Sequence, residues 1–82
     1  MQLFLTKEAY KQYSNIPTIE KKKIQKKLAM LVGDPLAGKK LAGKLADTRF
    51  LRAWPYRIIY AIDTKKKEVW VISILHRQGA YR

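Results

Sequence analysis

Tyr56-Arg57-Ile58-Ile59-Tyr60-Ala61-Ile62 and Glu68-Val69-Trp70-Val71-Ile72-Ser73-Ile74-Leu75 are two apolar runs joined by the polar segment Asp63-Thr64-Lys65-Lys66-Lys67. β-Branched and aromatic residues dominate both, and such residues suit a pleated, half-buried surface. The pattern predicts two strands and a hairpin with a solvated lysine loop. In the second run apolar residues fall on both parities, which predicts a central strand covered on both faces. Just upstream, Thr48 to Ala53 repeats the period of two. Trp54-Pro55 then predicts a turn, because Pro55 has no N–H to give to a sheet ladder.

Ahead of these strands the period lengthens. Gln2-Leu3-Phe4-Leu5 reads as a first strand. Thr6 is a plausible N-cap for a helix through about Ser14, with Glu8 in its first turn and Ala9, Tyr10 and Tyr13 on one face. Asn15-Ile16-Pro17 interrupts it, and Pro17 or Thr18 opens a second helix with Glu20 near its positive end. Ile24, Leu28, Leu31 and Val32 form an amphipathic stripe, and Gly33-Asp34-Pro35 stops the helix. A basic connector follows, Gly38-Lys39-Lys40-Leu41-Ala42-Gly43-Lys44. The predicted order is β-α-α-β-β-β, an α+β fold with two helices packed on one face of an antiparallel sheet.

The chain has 82 residues, of which 48% are hydrophobic. Surface scaling for this size gives about 5,100 Å² exposed when folded against about 13,900 Å² extended, enough for one modest core. Residues 1–82 are therefore expected to form a single domain. The absence of cysteine excludes disulfides and thiolate chemistry, and the single histidine, His76, excludes a His-rich metal centre. The four scattered glycines form no phosphate loop, and no carboxylate pair suggests glycosidase or two-metal chemistry. No metal and no cofactor are expected. No apolar run approaches the ~20 residues of a membrane span. Nor does the N-terminus carry a basic segment followed by an apolar one. The expectation is a cytoplasmic protein with no membrane contact.

Charge narrows the function. Eighteen Lys/Arg oppose six Asp/Glu, for a net charge of +12. Such an excess favours polyanions or an acidic protein partner. All five arginines, Arg49, Arg52, Arg57, Arg77 and Arg82, lie after Gly38. Arginine binds phosphate through two parallel N–H groups, whereas lysine is a solvated point charge. Lys21, Lys22, Lys23, Lys26 and Lys27 lie opposite the apolar stripe of the second helix, where a solvated face is the default.

Arg52 and Arg57 flank the Trp54-Pro55 turn, so a hairpin brings them together on the sheet surface. Two adjacent guanidinium groups repel unless an anion bridges them, which points to a phosphate site. The bland alternative is pairing with Asp47, Asp63 or Glu68, but three acids cannot neutralise the eleven cations of that half. Arg49, Lys44 and Arg82 are further candidates for phosphate contact. His76 is a histidine, the residue type most often used for acid–base chemistry, and it is followed by Arg77, Tyr81 and Arg82. A lone histidine beside a core strand is usually structural. Together with a phenol and guanidinium groups, an imidazole also suits RNA cleavage, as base, acid and phosphorane clamp.

Several ordered segments carry a family resemblance. They are Leu41-Ala42-Gly43-Lys44-Leu45, Phe50-Leu51-Arg52-Ala53-Trp54-Pro55-Tyr56-Arg57-Ile58-Ile59-Tyr60-Ala61-Ile62-Asp63, Val71 to Arg77, and Tyr81-Arg82. In this order they resemble the RelE/ParE superfamily of toxins. The resemblance implies a RelE-like fold and a type II toxin held in a hetero-oligomer by a cognate antitoxin. RelE-like members cleave mRNA on the ribosome without a metal, by attack of a ribose 2′-hydroxyl on the adjacent phosphate. ParE-like members inhibit DNA gyrase and need no catalytic residue. A third reading is a degenerate homologue that only binds antitoxin. By resemblance, Arg57 is the phosphate-stabilising arginine, Arg77 the arginine after the last strand and Tyr81 the C-terminal tyrosine. Arg52 falls on a further basic position. Two catalytic lysines of the best-known subgroup are replaced here by Thr48 and Phe50, leaving Lys44, Arg49 or His76 to substitute. The expectation is a ribosome-dependent endoribonuclease acting on mRNA, with Arg57, His76, Arg77 and Tyr81 catalytic.

Overall fold

The computed structural model describes residues 1–41 and 47–77. Its elements are β1 (Gln2–Leu5), α1 (Lys7–Ser14), α2 (Thr18–Gly33), β2 (Lys39–Lys40), β3 (Asp47–Ala53), β4 (Tyr56–Asp63) and β5 (Glu68–His76). The strands form one sheet in the order β1-β5-β4-β3-β2. The α+β architecture and the element order are those expected, with two differences. The sheet is mixed, because β1 pairs with β5 in parallel. Two helices separate β1 from the meander, and a connection of that length lets the first strand join the far edge in the parallel sense. The second difference is β2, a pair of lysines in the connector that opposes Phe50 and Arg49 of β3. Lysine is a common residue on exposed edge strands.

The helices cover one sheet face. Ile24, Leu28 and Leu31 of α2 and Ala9 of α1 are buried against Ile58, Tyr60, Ile62, Val69, Val71 and Ile74. Tyr10 and Val32, expected on the apolar stripes, are exposed. Each lies one residue beyond a buried neighbour, about 100° around its helix and past the edge of the stripe. Thr6 caps α1 by accepting from the Ala9 N–H at 3.1 Å, and its hydroxyl donates to the Ile72 carbonyl at 2.9 Å.

β5 is an interior strand, yet it is not covered on both faces. Trp70 and Ile72 stay exposed. The register with β4 shifts between Ile59 and Tyr60: Ile59 opposes Ser73, whereas Tyr60 opposes Val71. This bulge at Ile72 changes the parity of β5, so Val69, Val71 and Ile74 all reach the helix side. Apolar residues on both parities thus mark a bulge rather than a doubly covered strand. Backbone groups beside it are satisfied from α1: Ile72 by Thr6, and the Ile74 N–H by Gln12 Oε1 at 2.7 Å.

A buried polar group fixes the connector after α2. The Tyr60 hydroxyl donates to the Pro35 carbonyl and accepts from the Gly38 N–H, both at 2.8 Å, with the residue fully buried. Burial raises its pKa above the ordinary phenol value, against the opposing pull of the Gly38 N–H and Arg49. Gly38 has no room for a side chain: a Cβ would stand 2.5 Å from the Phe50 carbonyl oxygen and 2.5 Å from the Tyr60 hydroxyl. Arg49 closes the cluster, donating from Nε to Asp47 Oδ1 at 2.9 Å and from Nη1 to the Gly38 carbonyl at 3.0 Å. Tyr60→Phe should cost about 1–3 kcal/mol in urea unfolding, the usual penalty for stranding a buried partner. Gly38→Ala should cost at least as much, because a backbone oxygen cannot swing aside. Arg49→Met should destabilise by a similar amount, whereas Arg52→Met should be neutral or stabilising at low salt.

Candidate nucleic-acid interface

Alternation along β3 and β4 decides which side chains reach the face that the helices leave open. With Ile58, Tyr60 and Ile62 turned toward the core, Arg57, Ile59 and Ala61 take the other side. Cross-strand partners share a face, so Arg52, directly opposite Arg57, stands beside it, and Phe50, opposite Ile59, completes the row. The Arg57 guanidinium lies over the Phe50 ring, 4.8 Å from its centroid. Among the described residues the ion pairs are Lys23–Glu20 and Arg49–Asp47, so no described acid neutralises Arg52 or Arg57. Like charges directly opposite each other on a sheet are destabilising. An anion between them reverses the sign of that interaction.

Arg77 extends this end of the sheet. Its backbone N–H donates to the Pro55 carbonyl at 2.7 Å, carrying pairing past the end of β5 to the β3–β4 turn. Its guanidinium lies over the exposed Trp54 ring at 4.9 Å. Lys39 joins from β2, because it opposes Phe50 and so shares the open face. A recess of about 330 Å³ between these strands is lined by Ala37, Gly38, Lys39, Phe50, Leu51 and Arg52.

Two other expected site residues, Arg49 and His76, are not gathered there. Arg49 opposes Tyr60 and therefore sits on the helix side, engaged with Asp47 and Gly38. His76 opposes Tyr56, and the two rings meet edge to face with centroids 5.2 Å apart. The β5 bulge sets this: Arg57 opposes Leu75, so His76 lies on the other face of the sheet from Arg57. Tyr56 packs against the core on the helix side, and burial, and secondarily the charge of Glu20, raises its pKa. Lys44, Tyr81 and Arg82 lie outside the described residues. The α2 lysines stand apart from the arginines, with Lys23 paired to Glu20 at 3.4 Å and Lys21 over the Tyr13 ring.

Sequence reasoning missed three members of the open face. Phe50 was legible in principle, since it shares parity with Arg52. Trp54 reads first as a turn residue because Pro55 follows it. Lys39 depends on β2, and no periodicity can be seen in a strand of two lysines. Arginines, an amine, the exposed Trp54 ring and the half-buried Phe50 ring on one surface form a combination suited to phosphate and unpaired bases.

Comparison with known proteins agrees with this architecture. The family model of the ParE toxin of type II toxin–antitoxin systems matches residues 4–81. The toxin–antitoxin complex RelBE2 from Mycobacterium tuberculosis is similar at 27% identity and a TM-score of 0.82, over 93% of this chain and 96% of that one. The Escherichia coli RelBE complex is similar at 28% identity and a TM-score of 0.78, over 89% and 92%. The YoeB/ParE toxin from Agrobacterium tumefaciens shares the fold, with a TM-score of 0.79 at 20% identity over 93% and 98%. No curated protein matches the chain. A match over nearly the whole chain, on the fold that these toxin structures share, makes this protein a member of the ParE toxin family of type II toxin–antitoxin systems, within the RelE/ParE superfamily.

Proposed function

We propose that this toxin is an endoribonuclease that cleaves mRNA on the ribosome. The observation that carries the reading is the direct opposition of Arg52 and Arg57 on the open sheet face, with no described acid beside either. In the proposed reaction a ribose 2′-oxygen bonds to the adjacent phosphorus while the bond from phosphorus to the 5′-oxygen breaks. The 2′-hydroxyl gives up a proton and the 5′-oxygen receives one. Negative charge builds on the non-bridging oxygens between these events. Arg57 would hold them through two parallel N–H groups, with Arg52 and Arg77 adding charge. Lys39 and Tyr81 are the proton carriers we assign to the step. The placement of His76 beside Tyr56 argues against it as the base.

Solved relatives in complex with RelB antitoxins support a cognate antitoxin as this toxin's partner. An acidic antitoxin segment lying across the arginine face would relieve part of the +12 charge and block the site. On this reading the protein works in the cytoplasm, where ribosomes are. The competing reading, inhibition of DNA gyrase, draws on the ParE description of the matching family model and asks for no catalytic side chain. Primer extension on a translated message, run beside a gyrase supercoiling assay, decides between them. Wild type should cut the message, and Arg57→Ala should cut at least about 100-fold more slowly, as when one oxyanion donor is lost. Arg57→Lys should be nearly as impaired, while His76→Ala should cleave almost normally. An intact message with supercoiling blocked would refute the nuclease reading.

A further inference from the structure

Trp54 is among the most exposed large apolar side chains of the described residues, at 60%, and it stands at the tip of the β3–β4 hairpin. A tryptophan left in water sacrifices the burial that usually justifies it. Here it is held in a defined setting. The Arg77 guanidinium covers the ring at 4.9 Å, and Arg77 is itself tied to the turn by its 2.7 Å backbone bond to Pro55. Two residues before the ring in sequence is Arg52, paired across the hairpin with Arg57. Phe50, beneath Arg57, supplies a second ring further along the same face.

From this arrangement we infer that Trp54, backed by Arg77, is a stacking platform for one unpaired nucleobase next to the phosphate held by Arg52 and Arg57. Every nucleobase has a π-face, so a ring with much of its surface free accepts a base without reading its edge. The stacked guanidinium holds the ring in place and puts a positive charge beside the flanking phosphate. A ligand of this shape is a single strand: in a paired duplex the base faces are occupied by their neighbours. Trp54 thus acts in substrate positioning, setting the strand so that one phosphate falls between the two arginines. The inference rests on the open face taking RNA, as proposed above, but not on cleavage.

The test uses the full chain and a fluorescently labelled twelve-nucleotide single-stranded RNA of mixed sequence, carrying 2′-O-methyl groups throughout so that it cannot be cut. Binding is followed over a range of salt concentrations. Trp54→Ala should weaken binding by about 5- to 150-fold, the effect of losing one stacked base, and leave the slope of log K against log salt unchanged. Trp54→Phe should restore most of the loss. Arg57→Ala should instead flatten the slope by about 0.7, one phosphate contact on a single strand. A duplex of the same sequence should bind wild type and Trp54→Ala alike. Unchanged affinity in Trp54→Ala, with a flattened slope in Arg57→Ala, would overturn the platform and leave the phosphate site standing. If neither variant alters RNA binding, the nucleic-acid reading of the whole face is wrong. Loss of antitoxin binding alone in Trp54→Ala would assign the ring to the protein partner and likewise overturn the platform.

Discussion

The one-residue bulge in β5 governs which residues this small sheet can show to a partner. A sheet with helices on a single side has one buried parity, and a slip of one residue exchanges the two faces. Without the bulge, the parity of Val69 and Val71 would carry Leu75 to the core and turn Ile74 and His76 outward. With it, Ile74 joins the core and His76 meets Tyr56. Thr6 and Gln12 hold the irregularity by taking up backbone groups beside it. The first helix thus sets the registry of the last strand, and through it the composition of the open face.

Arginine plays two roles in the same hairpin, and its partners separate them. Arg49 has a carboxylate and a carbonyl at hydrogen-bonding distance and serves to clamp the α2–β2 connector. Arg52 and Arg57 have each other. A fold selected for stability alone would not place two guanidinium groups opposite one another on a surface already carrying excess positive charge. The arrangement accords with the proposed anionic ligand, whose charge would remove the repulsion. The Tyr60 cluster serves the same end from behind the sheet, since the docking of Gly38 carries Lys39 to its place opposite Phe50.

Much of this was legible in the sequence because it depends on local periodicity. The two helices, the three-stranded meander and the meeting of Arg52 with Arg57 across the Trp54-Pro55 turn follow from spacing alone. The parts that escaped depend on long-range pairing. Two lysines carry no strand signal, so β2 exists only because Phe50 and Arg49 offer an edge. The sense of β1 depends on which edge lies free once the helices have crossed the sheet. The bulge was hidden for a different reason: apolar residues stand on both parities either side of Ser73, so β5 reads as apolar with or without a shift. His76 inherited that ambiguity, and its proximity in sequence to Arg77 suggested a shared site that the register divides.

The measurement that bears most directly on a phosphate held between Arg52 and Arg57 is the nuclear magnetic resonance of the arginine Nε–Hε groups during titration with a cleavage-resistant single-stranded RNA. The Arg52 and Arg57 signals should move together and saturate at the same RNA concentration, while that of Arg49, locked to Asp47, stays in place. RNA binding that leaves Arg52 and Arg57 unmoved would contradict the assignment of this face as the substrate site.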